Sequence, residues 1–334
     1  MKLLVIGNDR KIFEDGSAVS LRQIKYSAEL ERLDIIVYAR QALGLGTKIL
    51  SSKVTVYPTN SRTRFFYFLD AFFLGKNLPK PDMVSAQDPF ESGLAGYFIA
   101  RYWSVPLHLQ LHTDFLSPYF WRDSLLNKAR FILGKFLIRR ADSLRVVLKR
   151  TKDEIVVSGL MSAEKITVQP IVVDIERMKN FPVKTDLHKK YPQFDFIILM
   201  ASRITREKNI ELAIEAMRET IKKYPKTGLV IVGDGPEKDK LKLLTTHYSL
   251  LTNVIFEEWT NDLPSFYKTA DIFLLTSNYE GYGMTIVEAL AAGLPIVMTN
   301  VGCAGDVMVD GRDGLVVPVG DFDALIVAIE KFVE

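Results

Sequence analysis

Cysteine is nearly absent from this chain of 334 residues: Cys303 stands alone, so no internal disulfide can form, which fits a reducing compartment. Histidine is scarce as well. The four present, His108, His112, His188 and His247, are scattered with no further thiols near them, so no metal-binding pattern is visible and no metal is expected. No uninterrupted apolar run approaches the ~18 residues of a membrane-spanning helix. The opening Met1-Lys2-Leu3-Leu4-Val5-Ile6-Gly7 is one basic residue before a short apolar run, too short for a signal peptide and shaped like a first sheet strand. A cytoplasmic protein is therefore expected, with a peripheral position on the inner face of the membrane as an alternative. The dinucleotide fingerprint G-x-G-x-x-G is also missing. Neither Gly7-Asn8-Asp9 nor Gly233-Asp234-Gly235-Pro236-Glu237-Lys238 completes it, which argues against an oxidoreductase. Beyond basicity nothing points to nucleic acid, and no nucleic-acid partner is expected.

What is present is ordinary globular composition, 48% hydrophobic and 25% charged, at a length that exceeds the usual single core and suggests two domains. The net charge of +3 is unevenly placed. Residues 1–172 hold 25 Lys and Arg against 16 Asp and Glu, a balance of +9, whereas residues 173–334 hold 18 against 24, a balance of −6. Two halves of opposite sign suggest different partners. An anionic membrane or an acidic acceptor suits the first half, and a plain solvated basic face explains it equally well.

Strand-like and helix-like segments alternate along both halves. In the first, strands are expected at 2–6, 34–39, 54–57, 83–86, 106–111, 144–148 and 166–168, with helices at 17–33, 90–102, 122–140 and 152–160. In the second, strands at 196–200, 229–232, 254–256, 271–276, 296–299 and 315–317 alternate with helices at 210–224, 238–246, 263–269, 285–292 and 322–333. This repetition predicts two doubly wound α/β domains, residues 1–170 and 171–334, meeting at Pro170-Ile171-Val172-Val173-Asp174. The cleft between such domains is the default binding site.

The stretch with the sharpest chemistry is Glu280-Gly281-Tyr282-Gly283-Met284-Thr285-Ile286-Val287-Glu288, a turn from a buried strand into a helix. In a parallel sheet such turns lie at the carboxyl ends of strands, where ligands bind. Gly281 and Gly283 permit close backbone approach, and a helix starting near Met284 points unpaired N–H groups and its positive end outward. That combination receives an anion, most simply a phosphate. Glu280 and Glu288 repel phosphate, so they suit hydrogen bonds from sugar hydroxyls. The plainer alternative makes Glu288 an ordinary helix charge and Glu280 a solvated loop residue.

Other distinctive residues fall at strand ends predicted to share that edge: Arg203, then Lys208 before the next helix, and Gly233-Asp234-Gly235-Pro236. Arg203 and Lys208 bring permanent positive charge suited to a diphosphate, although each taken singly is more often a surface charge. In the first half, strand alternation sets Leu107, Leu109 and Leu111 on one face and His108 and His112 on the other. His112, at the strand end, is a candidate for substrate contact, and His108 reads as a structural histidine. Gly16 either lets backbone approach a ligand or makes a turn with Ser17 as helix cap.

With these residues in place, the chain resembles the retaining glycosyltransferases of family 4, the group 1 glycosyltransferases. The resemblance lies in Ser202-Arg203-Ile204-Thr205-Arg206-Glu207-Lys208-Asn209, Val232-Gly233-Asp234-Gly235-Pro236, the 280–288 stretch and Ala292-Gly293-Leu294-Pro295-Ile296-Val297, and more loosely in Leu111-His112-Thr113. It implies the GT-B fold, two Rossmann-like domains facing each other across a cleft, with an acceptor-binding first domain and a donor-binding second. It implies that Arg203 and Lys208 bind the donor diphosphate, Glu288 the ribose, and Glu280 with the backbone of Gly281, Tyr282, Gly283, Met284 and Thr285 the donor sugar. Gly233 and Gly235 would lie near the base, Gly16 beside the donor, and His112 would approach the sugar from the first domain. It further implies retention of configuration and no cofactor or metal, with a UDP- or GDP-sugar as cosubstrate and a hydroxyl acceptor, lipid-linked or a polysaccharide precursor of the cell envelope. Three departures stand out: the paired glycines of the first loop are here Asp15-Gly16, the interdomain turn is altered, and the family's closing crossover helices are expected to be absent after Glu334. A different class, a non-catalytic nucleotide-sugar-binding or assembly subunit of the same fold, is the second expectation. The aromatic and basic stretches 62–68 and 119–122 would favour a membrane-proximal acceptor.

Overall fold

The computed structural model describes residues 1–171 and 173–334, so Val172 of the interdomain turn lies outside the described residues. The chain divides into two compact units, one made of residues Met1–Leu116 and Ser124–Pro170, the other of Ser117–Asp123 and Ile171–Glu334. The main change of unit thus falls at 170/171. In a short excursion, seven residues from the first half of the chain, Ser117–Asp123, pack with the second unit.

The first unit is built on β1 (Lys2–Gly7), β2 (Arg32–Val37), β3 (Lys48–Ser51), β4 (Val54–Pro58), β5 (Met83–Ala86), β6 (Leu107–Leu111), β7 (Ser143–Val146) and β8 (Ile166–Val168). They form one sheet in the order β3-β4-β2-β1-β5-β6-β7-β8, parallel except for the β3–β4 pair. Its central strands are near-continuous runs of buried Val, Ile and Leu, as strands covered on both faces must be. Val5, Leu33, Ile35, Val37, Val54 and Val56 pack into one core cluster.

The second unit is built on β9 (Phe196–Ala201), β10 (Thr227–Val232), β11 (Val254–Glu257), β12 (Ile272–Leu275), β13 (Ile296–Thr299) and β14 (Gly314–Val317), all parallel, in the order β11-β10-β9-β12-β13-β14. The order reverses at β9, so β9, β10 and β12 are neighbours and the loops after them emerge side by side. Helix Ile210–Lys223 seals one face of this sheet with Ile210, Ala213, Ile214 and Met217, an i, i+3, i+4, i+7 stripe that is fully apolar.

Local chemistry redraws several expected elements. The expected helix 17–33 ends much earlier: Ala18–Tyr26 is α-helical, Ser27–Glu29 is a 3-10 turn, and the next strand begins at Arg32. The expected helix 122–140 is two helices, Pro118–Asp123 and Leu125–Ile138, because Ser124 is extended and caps the second by accepting from Asn127 N at 3.1 Å. Helix Tyr67–Asn77 was not foreseen, since YFLDAFFLGKN is apolar around most of its circumference and shows no clear polar face.

Candidate functional site

Three loops of the second unit meet above the carboxyl ends of β9, β10 and β12. The turn after β9 is a 3-10 helix, Arg206–Lys208, ended by Asn209 in the left-handed conformation at φ 46°. Thr276 fastens this turn to the loop after β12: its hydroxyl donates to the carbonyls of Lys208 at 3.1 Å and Asn209 at 2.9 Å. Asn278 N donates to Glu207 O at 2.8 Å, a second stitch between the same loops. Residues about seventy positions apart in sequence are thereby held as one piece.

Lys208 and Glu280 meet at its centre. The ammonium and the carboxylate are in direct contact, with their side chains 13% and 10% exposed, and Ser277 Oγ donates to the same Glu280 oxygen at 2.8 Å. Ser277 is itself buried, and its carbonyl accepts from the Thr299 hydroxyl at 2.7 Å. A buried charge pair of this kind is strongly oriented, since either charge alone would be costly to keep out of water. Arg203 differs: its side chain is largely exposed and, among the described residues, pairs with Glu207 at 3.3 Å, leaving most of its guanidinium fork turned to solvent.

The turn after Glu280 then enters helix Met284–Ala291 through Gly283, which sits at φ 88° and offers no capping side chain, so the first amides of the helix are not covered by one. Tighter glycine contacts lie elsewhere in the site. A Cβ on Gly302, at φ 55°, would stand 2.9 Å from both Glu280 Cβ and Tyr282 O, so Gly302 is what allows the 280–282 backbone to lie where it does. Cys303 N donates to Tyr282 O at 3.0 Å and holds the same turn from behind, and burial pushes the Cys303 thiol up to about 12. Gly233 and Gly235 have a similar task. A Cβ on Gly233 would lie 2.0 Å from Ser202 O and one on Gly235 2.3 Å from Ile204 O, so these glycines let the loop after β10 press against the loop that carries Arg203.

Glu288, one turn into the helix, accepts a hydrogen bond from the Tyr267 hydroxyl at 3.0 Å. Burial raises its carboxyl above the ordinary glutamate range, and the Tyr267 hydroxyl offsets part of that rise. Tyr267 is itself buried, which pushes its phenol well above its usual value. Glu288, Met284, Tyr267, Trp259 and Thr260 line a pocket of about 330 Å³.

The structure therefore brings Arg203, Lys208, Gly233, Gly235, Glu280 to Thr285 and Glu288 to one edge of one sheet. His112 and Gly16 belong to the first unit. His112 is exposed at the end of β6, with Nε2 3.3 Å from Gln110 Oε1, whose amide donates to Ser85 Oγ at 3.2 Å. Partial desolvation of the ring, and secondarily the Arg145 guanidinium, push its pKa below the ordinary value, which favours the neutral imidazole. His108 is tied to Ser143 Oγ at 2.9 Å. Gly16 is at φ 66° with nothing within 4 Å of where a Cβ would sit, next to Ser17, which caps helix Ala18–Tyr26 by accepting from Ser20 N at 3.2 Å. Among the described residues no group of His, Cys, Asp and Glu is arranged to hold a metal ion.

Sequence reasoning passed over Ser277, Tyr267, Gly302 and the wall formed by Trp259 and Thr260. Ser277 carried a usable signal, a hydroxyl at a strand end three residues before Glu280. Tyr267 sat inside a helix pattern, where an aromatic reads as core. In the stretch 119–122, Phe120 is buried edge-to-face against Tyr279 at 5.6 Å, while the half-buried Tyr119 donates from Oη to Val319 O at 3.4 Å, so both rings pack with the second unit.

Two Rossmann-like units with a ligand edge of this kind define the GT-B class of fold. Solved chains agree: HepE from Anabaena, crystallised with UDP, superposes with a TM-score of 0.74 over 100% of this chain and 90% of its own at 22% identity. Residues 27–177 match the model for Glycosyltransferase Family 4 and residues 183–334 that for Glycosyl transferases group 1, and the chain belongs to this family of glycosyltransferases. Curated relatives include the sulfoquinovosyl transferase SQD2 of Arabidopsis thaliana, 27% identical over 70% of this chain, and the alpha-monoglucosyldiacylglycerol synthase of Acholeplasma laidlawii, 27% identical over 71%. The matched part spans 46% of the plant protein and 63% of the Acholeplasma one.

Proposed function

We propose that this protein is a retaining, metal-independent glycosyltransferase that moves a hexose-type sugar from a nucleoside diphosphate sugar to a hydroxyl acceptor. The observation that carries the reading is the union, at one sheet edge, of an oriented Lys208–Glu280 pair, the exposed Arg203 fork and the uncapped start of helix Met284–Ala291, with Glu288 in the adjoining pocket. Fixed cations and helix amides aimed at one place suit a diphosphate, and they act most on the charge that builds on the leaving oxygen. Arg203 grips by bidentate contact and Lys208 as a point charge. Glu288 accepts from the ribose hydroxyls, with Tyr267 orienting its carboxylate. Glu280, displaced in part from Lys208 when the diphosphate arrives, accepts from the donor sugar. The leaving phosphate takes the acceptor proton on the face it departs from, which gives retention, and His112 supplies a neutral imidazole toward the sugar. The same description, read as binding without turnover, gives the non-catalytic alternative.

HepE is described in complex with UDP and the Acholeplasma relative is named for a diacylglycerol product, which supports a UDP-sugar donor and a lipid-linked acceptor here. No helix among the described residues is long and apolar enough to cross a membrane. The test is heat denaturation with a panel of nucleoside diphosphates and their sugars. A ligand present at about 100 times its dissociation constant stabilises by ~2.7 kcal/mol. We expect such a shift with one base, abolished by Lys208→Ala and by Glu288→Ala, followed by release of nucleotide from the matched sugar. Binding without any release over a broad acceptor screen would move the assignment to the non-catalytic subunit, and no shift with any nucleotide would remove the donor site itself.

A further inference from the structure

The first unit carries a surface that its donor chemistry does not use. Helices Tyr67–Asn77, Glu91–Trp103 and Leu125–Ile138 lie side by side, each in contact with the next. Small residues are buried on their inner sides: Ala71 and Gly75 in the first, the latter against Ile99 of the second, Gly93, Ala95 and Gly96 in the second, Gly134 in the third. Their other side is apolar and open to solvent. On the third helix Leu125, Ile132 and Phe136 fall at i, i+7 and i+11, one face of a helix, and Leu125 and Ile132 are 82% and 62% exposed. The first contributes Leu69 and Phe73, preceded by Phe65 and Phe66, of which Phe65 is 90% exposed, and the second contributes Phe98 and Tyr102.

These rings form one continuous patch. Phe72 stands edge-on to Phe98 and to Tyr102 at 6.4 Å, Phe98 contacts Tyr97 at 5.5 Å, and Tyr97 contacts Phe136 at 6.0 Å, so aromatic contact runs from the first helix to the third. Cations lie over two of its members, Lys76 over Phe73 at 5.4 Å and Arg140 over Phe136 at 3.6 Å, and on the third helix Lys135 lies over the half-buried Phe131 at 4.3 Å. Residues 124–141 hold five Lys and Arg and no Asp or Glu. Glu91, the acid at the start of the middle helix, is already held by Arg130 at 2.8 Å.

We propose that this three-helix face docks on an anionic lipid bilayer, with the rings at the depth of the headgroup boundary and the Lys and Arg among the phosphates. Charge complementarity decides between occupants. A second copy would bring the same cations against themselves, whereas anionic headgroups offer the opposite charge, and aromatic rings with long cationic stems are the side chains that settle at a membrane–water boundary. Apolar residues on one side of helices too short to span fit a surface that lies in the interface plane.

Flotation of the full chain tests this with vesicles of phosphatidylcholine, with or without one third phosphatidylglycerol. The parent is expected to float with the anionic vesicles at low salt, less at high salt, and hardly with phosphatidylcholine alone. The combined change Phe73→Ser, Phe98→Ser and Phe136→Ser should lower partitioning at least tenfold. Lys135→Glu with Arg140→Glu should lower it by about fivefold or more per cation. Leu243→Ser with Leu251→Ser, exposed positions of the second unit, should leave it unchanged. Because the replaced side chains are exposed, apart from the half-buried Lys135, the variants should melt with the parent and keep its nucleotide shift, which separates a failure of docking from a failure of the donor site. A folded parent that does not float, or a serine variant that floats like the parent, overturns the proposal. So does a lipid-free dimer that the serine changes dissolve, since the face would then belong to a second copy.

Discussion

Glu288 shows how a single carboxylate records its surroundings. Its pKa is raised by burial, so between the ordinary glutamate value and the raised one the folded protein binds more protons than the unfolded chain. The slope of unfolding free energy against pH follows protons bound by the unfolded state minus those bound by the native one, and is negative there. Glu288 thus costs the fold stability as pH rises through that window. Urea unfolding between about pH 4 and about pH 7 should show a smaller fall in stability for Glu288→Gln than for the parent. Tyr267→Phe, which removes the hydrogen bond that offsets the burial, should show a larger fall. Identical pH profiles for parent and Glu288→Gln would mean that the carboxyl titrates as if in water.

At the scale of an element, the turn 280–283 depends on a residue twenty positions further on. Gly302→Ala must place a methyl group in contact with Glu280 Cβ and Tyr282 O, each 2.9 Å away, and at φ 55° the strain of the left-handed region adds about 1–2 kcal/mol. We expect a clear loss of stability and loss of the nucleotide shift. Gly16→Ala is the comparison. It meets the same backbone penalty at φ 66° but has open space around it, so it should lower the melting temperature slightly and leave nucleotide binding untouched. If Gly16→Ala instead weakens nucleotide binding, the first loop does reach the donor, as family resemblance implies.

At the scale of the molecule, the excursion Ser117–Asp123 ties the second unit's ligand turn to the first half of the chain. Phe120 is buried against Tyr279, the residue before Glu280. Deleting a buried ring of this size typically costs ~3–5 kcal/mol. Phe120→Ala should therefore destabilise the protein and weaken nucleotide binding, although in sequence it lies more than eighty residues before Arg203, the first of the second unit's proposed donor contacts. Phe120→Leu should recover most of both. Normal nucleotide binding in a folded Phe120→Ala protein would show that the turn is held without it.

Much of this protein was legible before its structure. Alternating strands and helices gave two α/β units with the break near 170, because buried parallel strands must be apolar runs and their crossovers must be amphipathic. The 280–288 turn was legible because a strand end, two glycines and a helix start are consecutive in sequence. The tertiary structure alone decided which of the candidates meet. Lys208 and Glu280 pair because β9 and β12 are neighbours, a matter of strand order that local pattern does not encode. It also set Gly233 and Gly235 against the backbone of the loop that carries Arg203, and placed Phe120 in the interior of the second unit. Local sequence fixes periodicity and turn chemistry within a few residues, whereas burial and pairing depend on which distant segments arrive opposite each other, and only the assembled sheet sets that.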